Sequence, residues 1–196
     1  RVSLWAYPVA FYNTKGKIMD RITYQPLTIK NFNLNSLDEF IRRQDVRECW
    51  RRADGSLTLL PIAYIEDWNL QQRRETAKEI LNELDAGGLA YGAFCENKVV
   101  GFAALSPALF GSGKQYMDLA LFYVSEPFRQ RGIGKELFQM ACRGSRNAGA
   151  RKLYISAHSA KETMAAYNRL GCVEALEVNR LLAEKEPCDV QLEYVL

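Results

Sequence analysis

Three cationic side chains set among two glycines, Arg129-Gln130-Arg131-Gly132-Ile133-Gly134-Lys135, form the part of this 196-residue chain best suited to hold an anion. An apolar, strand-like stretch from Leu119 to Val124 leads into this run, and a helix-like stretch follows it. Gly132 and Gly134 let the backbone turn several N–H groups towards one point, the new helix adds its positive end, and Arg129, Arg131 and Lys135 add formal charge. That chemistry suits a pyrophosphate-bearing ligand. Better-known glycine loops demand more than this run supplies. A dinucleotide fingerprint needs a third glycine where Leu137 stands. A phosphate loop of the G-x-x-x-x-G-K-[ST] kind fails at Gly113-Lys114, where Ala108 replaces the first glycine and Gln115 follows the lysine.

The remaining pattern, [RQ]-x-x-G-x-[GA] at a strand-to-helix turn, resembles the acyl-CoA loop of the GNAT superfamily of N-acetyltransferases, with Arg129, Gly132 and Gly134 at its defining positions. Further along, Ala165-Ala166-Tyr167-Asn168-Arg169-Leu170-Gly171-Cys172 resembles the superfamily's second signature, a helix ending in F-Y-x-x-x-G-[FY]. Ala166 and Cys172 stand in for its two aromatics. The resemblance covers roughly residues 20 to 196. It implies an α/β chain of the α+β type, with a mixed central sheet of about six to seven strands, about four flanking helices and a splayed pair of strands at the acyl-CoA site. It also implies acetyl-CoA as co-substrate, no metal, a small primary amine as acceptor, direct transfer, and a cytoplasmic enzyme of bacterial type. Two alternatives stand beside this: acetylation of a protein N-terminus or lysine, and an acyl-CoA-binding sensor or regulatory module without turnover.

Site residues follow from the same resemblance. The backbone of Phe122-Tyr123-Val124 would bond the pantetheine arm, the loop from Arg129 to Lys135, including Gln130, Arg131 and Ile133, would hold the pyrophosphate, and Ser159 and Tyr167 would complete the cofactor contacts. Tyr167 matches the tyrosine that protonates the departing CoA sulfur, and a phenol with an ordinary pKa near 10 is a reasonable donor to a thiolate. Asp118, eleven residues before Arg129, stands where histone-acetylating members carry a glutamate general base. Being one methylene shorter, it would act through water. A carboxylate in an otherwise apolar strand is costly without a partner, although an exposed strand start would also accommodate it. His158, the single histidine, ends the next strand and is a second candidate base through its near-neutral pKa; its plainer reading is a polar strand end. Glu126 is read as solvent-facing and Cys172 as packing.

Positioning these groups requires an ordered series of elements. Arg21 to Ile29 reads as a first strand, and Ser36 or Asp38 as the cap of a helix reaching about Arg52. Leu70, Ala77, Ile80, Leu81 and Leu84 give a second helical stripe ended by Gly87-Gly88. Leu89 to Cys95 and Val99 to Leu105 read as a hairpin about Glu96-Asn97-Lys98, and Tyr116 to Val124 as one strand. Gly134 to Ala148 reads as a helix burying Leu137, Ala141 and Ala148, and Lys152 to Ala157 as an alternating strand. Ser159-Ala160-Lys161-Glu162 fits a capping box for the helix that carries Tyr167, and strands near Val173 to Val178 and Asp189 to Val195 close the sheet. The same resemblance puts the acceptor site along roughly Leu37 to Trp68 and Val173 to Leu196, where Trp50, Tyr64, Trp68, Glu66 and Asp67 suit a cationic amine and would equally serve as core plus surface.

Composition narrows the partners. At 48% hydrophobic and 25% charged, the chain can bury one substantial core. A formal charge of +3 is mild, and the pairs Arg42-Arg43, Arg51-Arg52 and Arg73-Arg74 alternate with acidic residues as on a solvated helix face, not a nucleic-acid stripe. Five cysteines without C-x-x-C spacing point to free thiols in a reducing compartment, not to zinc. No run approaches the roughly 18 apolar residues of a membrane helix, and exposed edge strands would allow a homodimer. Residues 1 to 18 are set apart as a leader or added segment before a domain spanning 19 to 196, because Lys15-Gly16-Lys17-Ile18 is encodable by a purine-rich, ribosome-binding type of sequence just ahead of Met19. An intact mass that includes residues 1 to 18, measured on protein from its natural host, would contradict that division.

Overall fold

A computed structural model of the chain describes residues 21–196, so the proposed leader and the start at Met19 lie outside the described residues. A first strand, β1 (Ile22–Pro26), is followed by turns between residues 29 and 39. Side chains hold these turns: Asn31 Oδ1 accepts from the Thr28 amide at 2.7 Å, and Ser36 Oγ from the Asn33 amide at 2.9 Å. Such local bonding competes with helix formation. The helix expected from Ser36 or Asp38 to about Arg52 is absent.

In its place stands a long antiparallel hairpin, β2 (Arg43–Ala53) with β3 (Ser56–Asp67). Its turn is Asp54-Gly55, with φ of 49° and 79°, the left-handed pair that matches the twist of two strands. One helix, α1 (Leu70–Asp85), follows, opened by a capping box in which Asn69 Oδ1 accepts from the Gln72 amide and Gln72 Oε1 from the Asn69 amide. The expected hairpin then forms from β4 (Leu89–Cys95) and β5 (Lys98–Leu105).

The single strand expected from Tyr116 to Val124 is broken at Leu119-Ala120 into β6 (Tyr116–Asp118) and β7 (Leu121–Val124). After the glycine loop come α2 (Ile133–Asn147), β8 (Lys152–Ala157), α3 (Lys161–Leu170), β9 (Val173–Glu174), α4 (Arg180–Lys185) and β10 (Val190–Val195). Ala148 caps α2 and is exposed, not buried as expected. Ser159 forms no capping box; Ala160 is the N-cap of α3, and the Ser159 hydroxyl accepts from Arg51 Nη1 at 2.5 Å. Helix α4, capped by Asn179, was not legible in the sequence.

The break in the strand creates the central feature of the fold. Strands β1-β4-β5-β7 form one sheet and β6-β8-β10-β9 another, with β2-β3 separate. Strand β6 pairs in parallel with β8 as far as Asp118 and Tyr154, and the Leu119 amide adds a last bond to the Tyr154 carbonyl at 2.9 Å. Beyond it β7 pairs only with β5, so β7 and the second half of β8 part company. Ala77, Ile80, Phe32, Phe40 and Phe102 form a core on the α1 side, while Ile133, Leu137, Phe138, Leu153, Ile155 and Met164 form one on the α2 side. Burial on both faces holds the parted strands in place. Among the described residues no helix is long and apolar enough to cross a membrane.

Candidate active site

The glycine loop sits where the two half-sheets part. Gln130 (φ 60°) and Gly132 (φ 82°) both adopt left-handed backbone, and Gly132 serves as N-cap of α2. Consequently the first-turn amides of Ile133, Gly134 and Lys135 have no intrahelical acceptor and carry the positive end of the helix. A Cβ at Gly132 would meet nothing within 4 Å, so the cradle is open there; one at Gly134 would touch the Phe122 and Val124 side chains at 3.6 Å. Those two residues of β7 thus form the floor beneath the helix terminus. An anion the size of a pyrophosphate fits this donor set.

Arg129 has a different setting from its two cationic neighbours. Its Nε donates to the Val124 carbonyl at 3.0 Å and its Nη1 to the Arg43 carbonyl at 2.7 Å, binding the loop to both β7 and β2. Arg131 and Lys135 are the exposed cations of the loop, and the Arg131 guanidinium lies 5.1 Å from the Phe128 ring centroid.

Tyr167 is 9% exposed on α3, its ring centroid 6.1 Å from that of Phe122. Its hydroxyl bonds to no described group, yet it is not among the sealed unpaired polar atoms, which are Arg42 Nε and Nη1 and Ser145 Oγ. The hydroxyl therefore meets open space. Burial raises its pKa and keeps the phenol protonated.

Asp118, also 9% exposed, ends β6 at the point of divergence. It is not at an exposed strand start. No side chain bonds or pairs with its carboxylate, and burial, with a contribution from Glu83, pushes its pKa up to about 7. His158 is held on both sides: Nδ1 accepts from the Ala160 amide at 3.2 Å, and Nε2 lies 2.6 Å from the Tyr64 hydroxyl. With burial lowering its pKa, the ring is neutral, and an accepting Nδ1 places its proton on Nε2.

One wall of the opening was missed at the level of sequence. Arg42 is 4% exposed, pairs with Glu66 at 2.6 Å, and lies 5.1 Å from the Tyr123 ring centroid and 5.9 Å from that of Trp68. It is a buried cation clasped by aromatics, not part of a solvated helix face. Opposite it, the end of β8 and the start of β10 carry a polar chain in which Gln191 Nε2 donates to Ser156 Oγ at 3.0 Å and Ser156 Oγ donates to Asp189 Oδ2 at 3.3 Å. No pattern in the sequence marks Arg42 or Asp189 as sharing a site, because only the tertiary fold brings β2, β3, β8 and β10 together.

Comparison with known proteins agrees with this geometry. Residues 45–172 match the sequence model of the Acetyltransferase (GNAT) family. No curated relative matches the sequence. Among solved structures, the chain is similar to nourseothricin acetyltransferase, at 14% identity and a TM-score of 0.66 over 89% of this chain and 98% of that one. A putative streptothricin acetyltransferase from Bacillus anthracis, solved with acetyl coenzyme A, shares 15% identity at a TM-score of 0.59, covering 90% and 97% of the two chains. The PaiA N-acetyltransferase from Thermoplasma acidophilum, solved with coenzyme A, gives 17% identity and 0.58, over 90% and 99%. At such identities these structures bear on the fold, which is of the α+β kind expected. The family match spans well over half of the sequence, and with it the chain belongs to the GNAT family of acetyltransferases.

Proposed function

We propose that this protein is an acetyl-CoA-dependent N-acetyltransferase that moves an acetyl group directly to a primary amine of a small molecule. Bound acetyl-CoA would supply an activated acyl carbon and a thiolate leaving group. The amides of Ile133, Gly134 and Lys135, with Arg131, Lys135 and the turn at Gln130, hold its pyrophosphate, and the edge of β7 at Phe122-Tyr123-Val124 that no neighbouring strand covers aligns its arm. Ser159 flanks the same gap from the end of β8.

Proton movements divide between the two buried, unpartnered groups. An ammonium acceptor must lose a proton before its nitrogen can bond to the acyl carbon, and Asp118 takes that proton through water. As the carbon–sulfur bond breaks, Tyr167 gives its phenolic proton to the sulfur. His158 is the weaker candidate base because both ring nitrogens are engaged. The observation that carries this reading is the unbonded Tyr167 hydroxyl beside the open edge of β7 and the amide-rich loop.

The acceptor side supports a small amine, since Arg42, Trp68 and Tyr123 pack against one another there and give it a compact aromatic wall. Four buried cysteines, Cys49, Cys95, Cys142 and Cys172, are in no disulfide, which fits work in a reducing cytoplasm. The test is thiol release from acetyl-CoA, with N-acetyl products identified by mass, across amines, polyamines, amino acids and short peptides. We expect small amines to outcompete peptides. Preference for peptides would favour a protein acetyltransferase, and acetyl-CoA binding without any product would favour a sensor.

A further inference from the structure

We propose that the phenolic hydroxyl of Tyr123 donates the hydrogen bond that steadies the oxyanion formed when the amine bonds to the acetyl carbon. This rests on the N-acetyltransferase reading above and adds a catalytic residue to it. As the nitrogen–carbon bond forms, the carbonyl π pair moves onto oxygen and the nitrogen sheds its surplus proton to water. As that pair returns, the carbon–sulfur bond breaks and the sulfur takes the proton of Tyr167, which regains one from solvent. Asp118 and Tyr167 are thus engaged with protons, and neither meets the charge on oxygen. One donor aimed at that oxygen is worth about two to three orders of magnitude in rate.

Tyr123 lies on the strand that borders the gap: β7 pairs with β5 on one side, Tyr123 opposite Phe102, and with no strand on the other. Side chains alternate along it. Phe122 and Val124 turn to the α2 face, where Phe122 meets Tyr167, whereas Tyr123 packs with the core on the α1 face. The two phenols therefore flank β7 from opposite faces. The Tyr123 ring is fixed by Trp68, 4.8 Å away between centroids, and by Phe102 at 5.7 Å, with the Arg42 guanidinium 5.1 Å from its centroid. Among the described residues its hydroxyl bonds to nothing, yet it is not one of the sealed unpaired polar atoms, so it opens on free space as that of Tyr167 does. A ring held on several sides that leaves its only polar atom unused and accessible presents that atom to a ligand. Burial raises the Tyr123 pKa, so the phenol keeps its proton and acts as a donor, while Arg42 favours negative charge there and strengthens it. Tyr123 also disfavours ionisation of Tyr167, and Asp189 bears on both, which sets the two hydroxyls about one space. Neighbouring donors are what a tetrahedral carbon demands, since its oxygen and its sulfur are bonded to the same atom.

Two analogues of acetyl-CoA test this role apart from turnover: the ketone in which a methylene separates the sulfur from the acetyl group, and its trifluoromethyl counterpart, which hydrates to a tetrahedral carbon. Calorimetry should give Tyr123→Phe an unchanged Kd for the plain ketone and one about tenfold higher for the trifluoromethyl ketone, the size of one well-placed hydrogen bond. Its kcat should fall about a hundredfold with Kd for acetyl-CoA unchanged. Equal weakening of both ketones, or of neither, would overturn the role, as would an undiminished kcat. A crystal structure of the unaltered protein with the trifluoromethyl ketone is immune to misfolding of the variant. Tyr123 Oη should stand within hydrogen-bonding distance of an oxygen on the tetrahedral carbon, and oxygens held by β7 amides alone would contradict the proposal. Discrimination between the ketones that vanishes in Tyr123→Phe, in a protein that acetylates no amine, would instead overturn the N-acetyltransferase reading and leave Tyr123 as the oxyanion donor of another acyl transfer.

Discussion

The base role proposed for Asp118 predicts two opposite pH effects, one on rate and one on stability. As a base it must be ionised, so acetyl transfer should rise with pH through about 7. Stability runs the other way. The folded carboxyl keeps its proton up to about 7, whereas the unfolded one loses it near 3.8, so the folded state binds more protons in between. Stability therefore falls as pH rises across that window. Asp118→Asn should flatten both curves, lower the rate by about two orders of magnitude or more, and raise stability above pH 7 by sparing a buried charge. A rate profile unchanged in Asp118→Asn would remove Asp118 from the chemistry. At this scale the family resemblance singled out Tyr167, Asp118 and the loop, and the structure sets all three about one gap. The sequence did not reveal Arg42 or Asp189, whose surroundings come from strands distant in the chain.

Among the elements, the glycine loop and the first hairpin show why some local structure could be read and some could not. Gly132 and Gly134 differ in the reason each must be glycine. Gly132 has φ of 82° with free space around it, so Gly132→Ala should cost about 1–2 kcal/mol through backbone strain alone. Gly134 lies in the first turn of α2 with only ordinary contacts available to a methyl group, so Gly134→Ala should be neutral or stabilising by up to about 1 kcal/mol. Urea unfolding of the two variants checks the contrast, and equal losses would contradict it. The β4-β5 hairpin was legible because its apolar runs are continuous and its turn polar. The β2-β3 hairpin was not. A bulge between Val46 and Glu48 sets the buried Val46 and Cys49 three residues apart, which mimics a helical period, and the run of charges around them imitates a solvated helix. Asp54-Gly55 was the signal that could have exposed the strand pair.

For the molecule as a whole, the break at Leu119-Ala120 is what turns an ordinary strand into a site. It divides the strands into two half-sheets, leaves one edge of β7 free, and places the loop, Asp118 and Tyr167 around the resulting gap. The α+β class and the helix count of about four were legible, yet the four helices are not the four expected, since the first dissolves into turns and strand while α4 appears late. Cores on both faces fix the gap before any ligand arrives, so its chemistry depends on few groups that the fold itself needs. Tyr167 is the clearest of these, because its hydroxyl bonds to nothing in the protein and Tyr167→Phe should cost little stability. The decisive measurement is kcat for acetyl transfer by Tyr167→Phe beside its Kd for acetyl-CoA. The account predicts a fall in kcat of about a hundredfold or more with Kd unchanged, and an undiminished kcat would contradict the placement of acyl transfer in this gap.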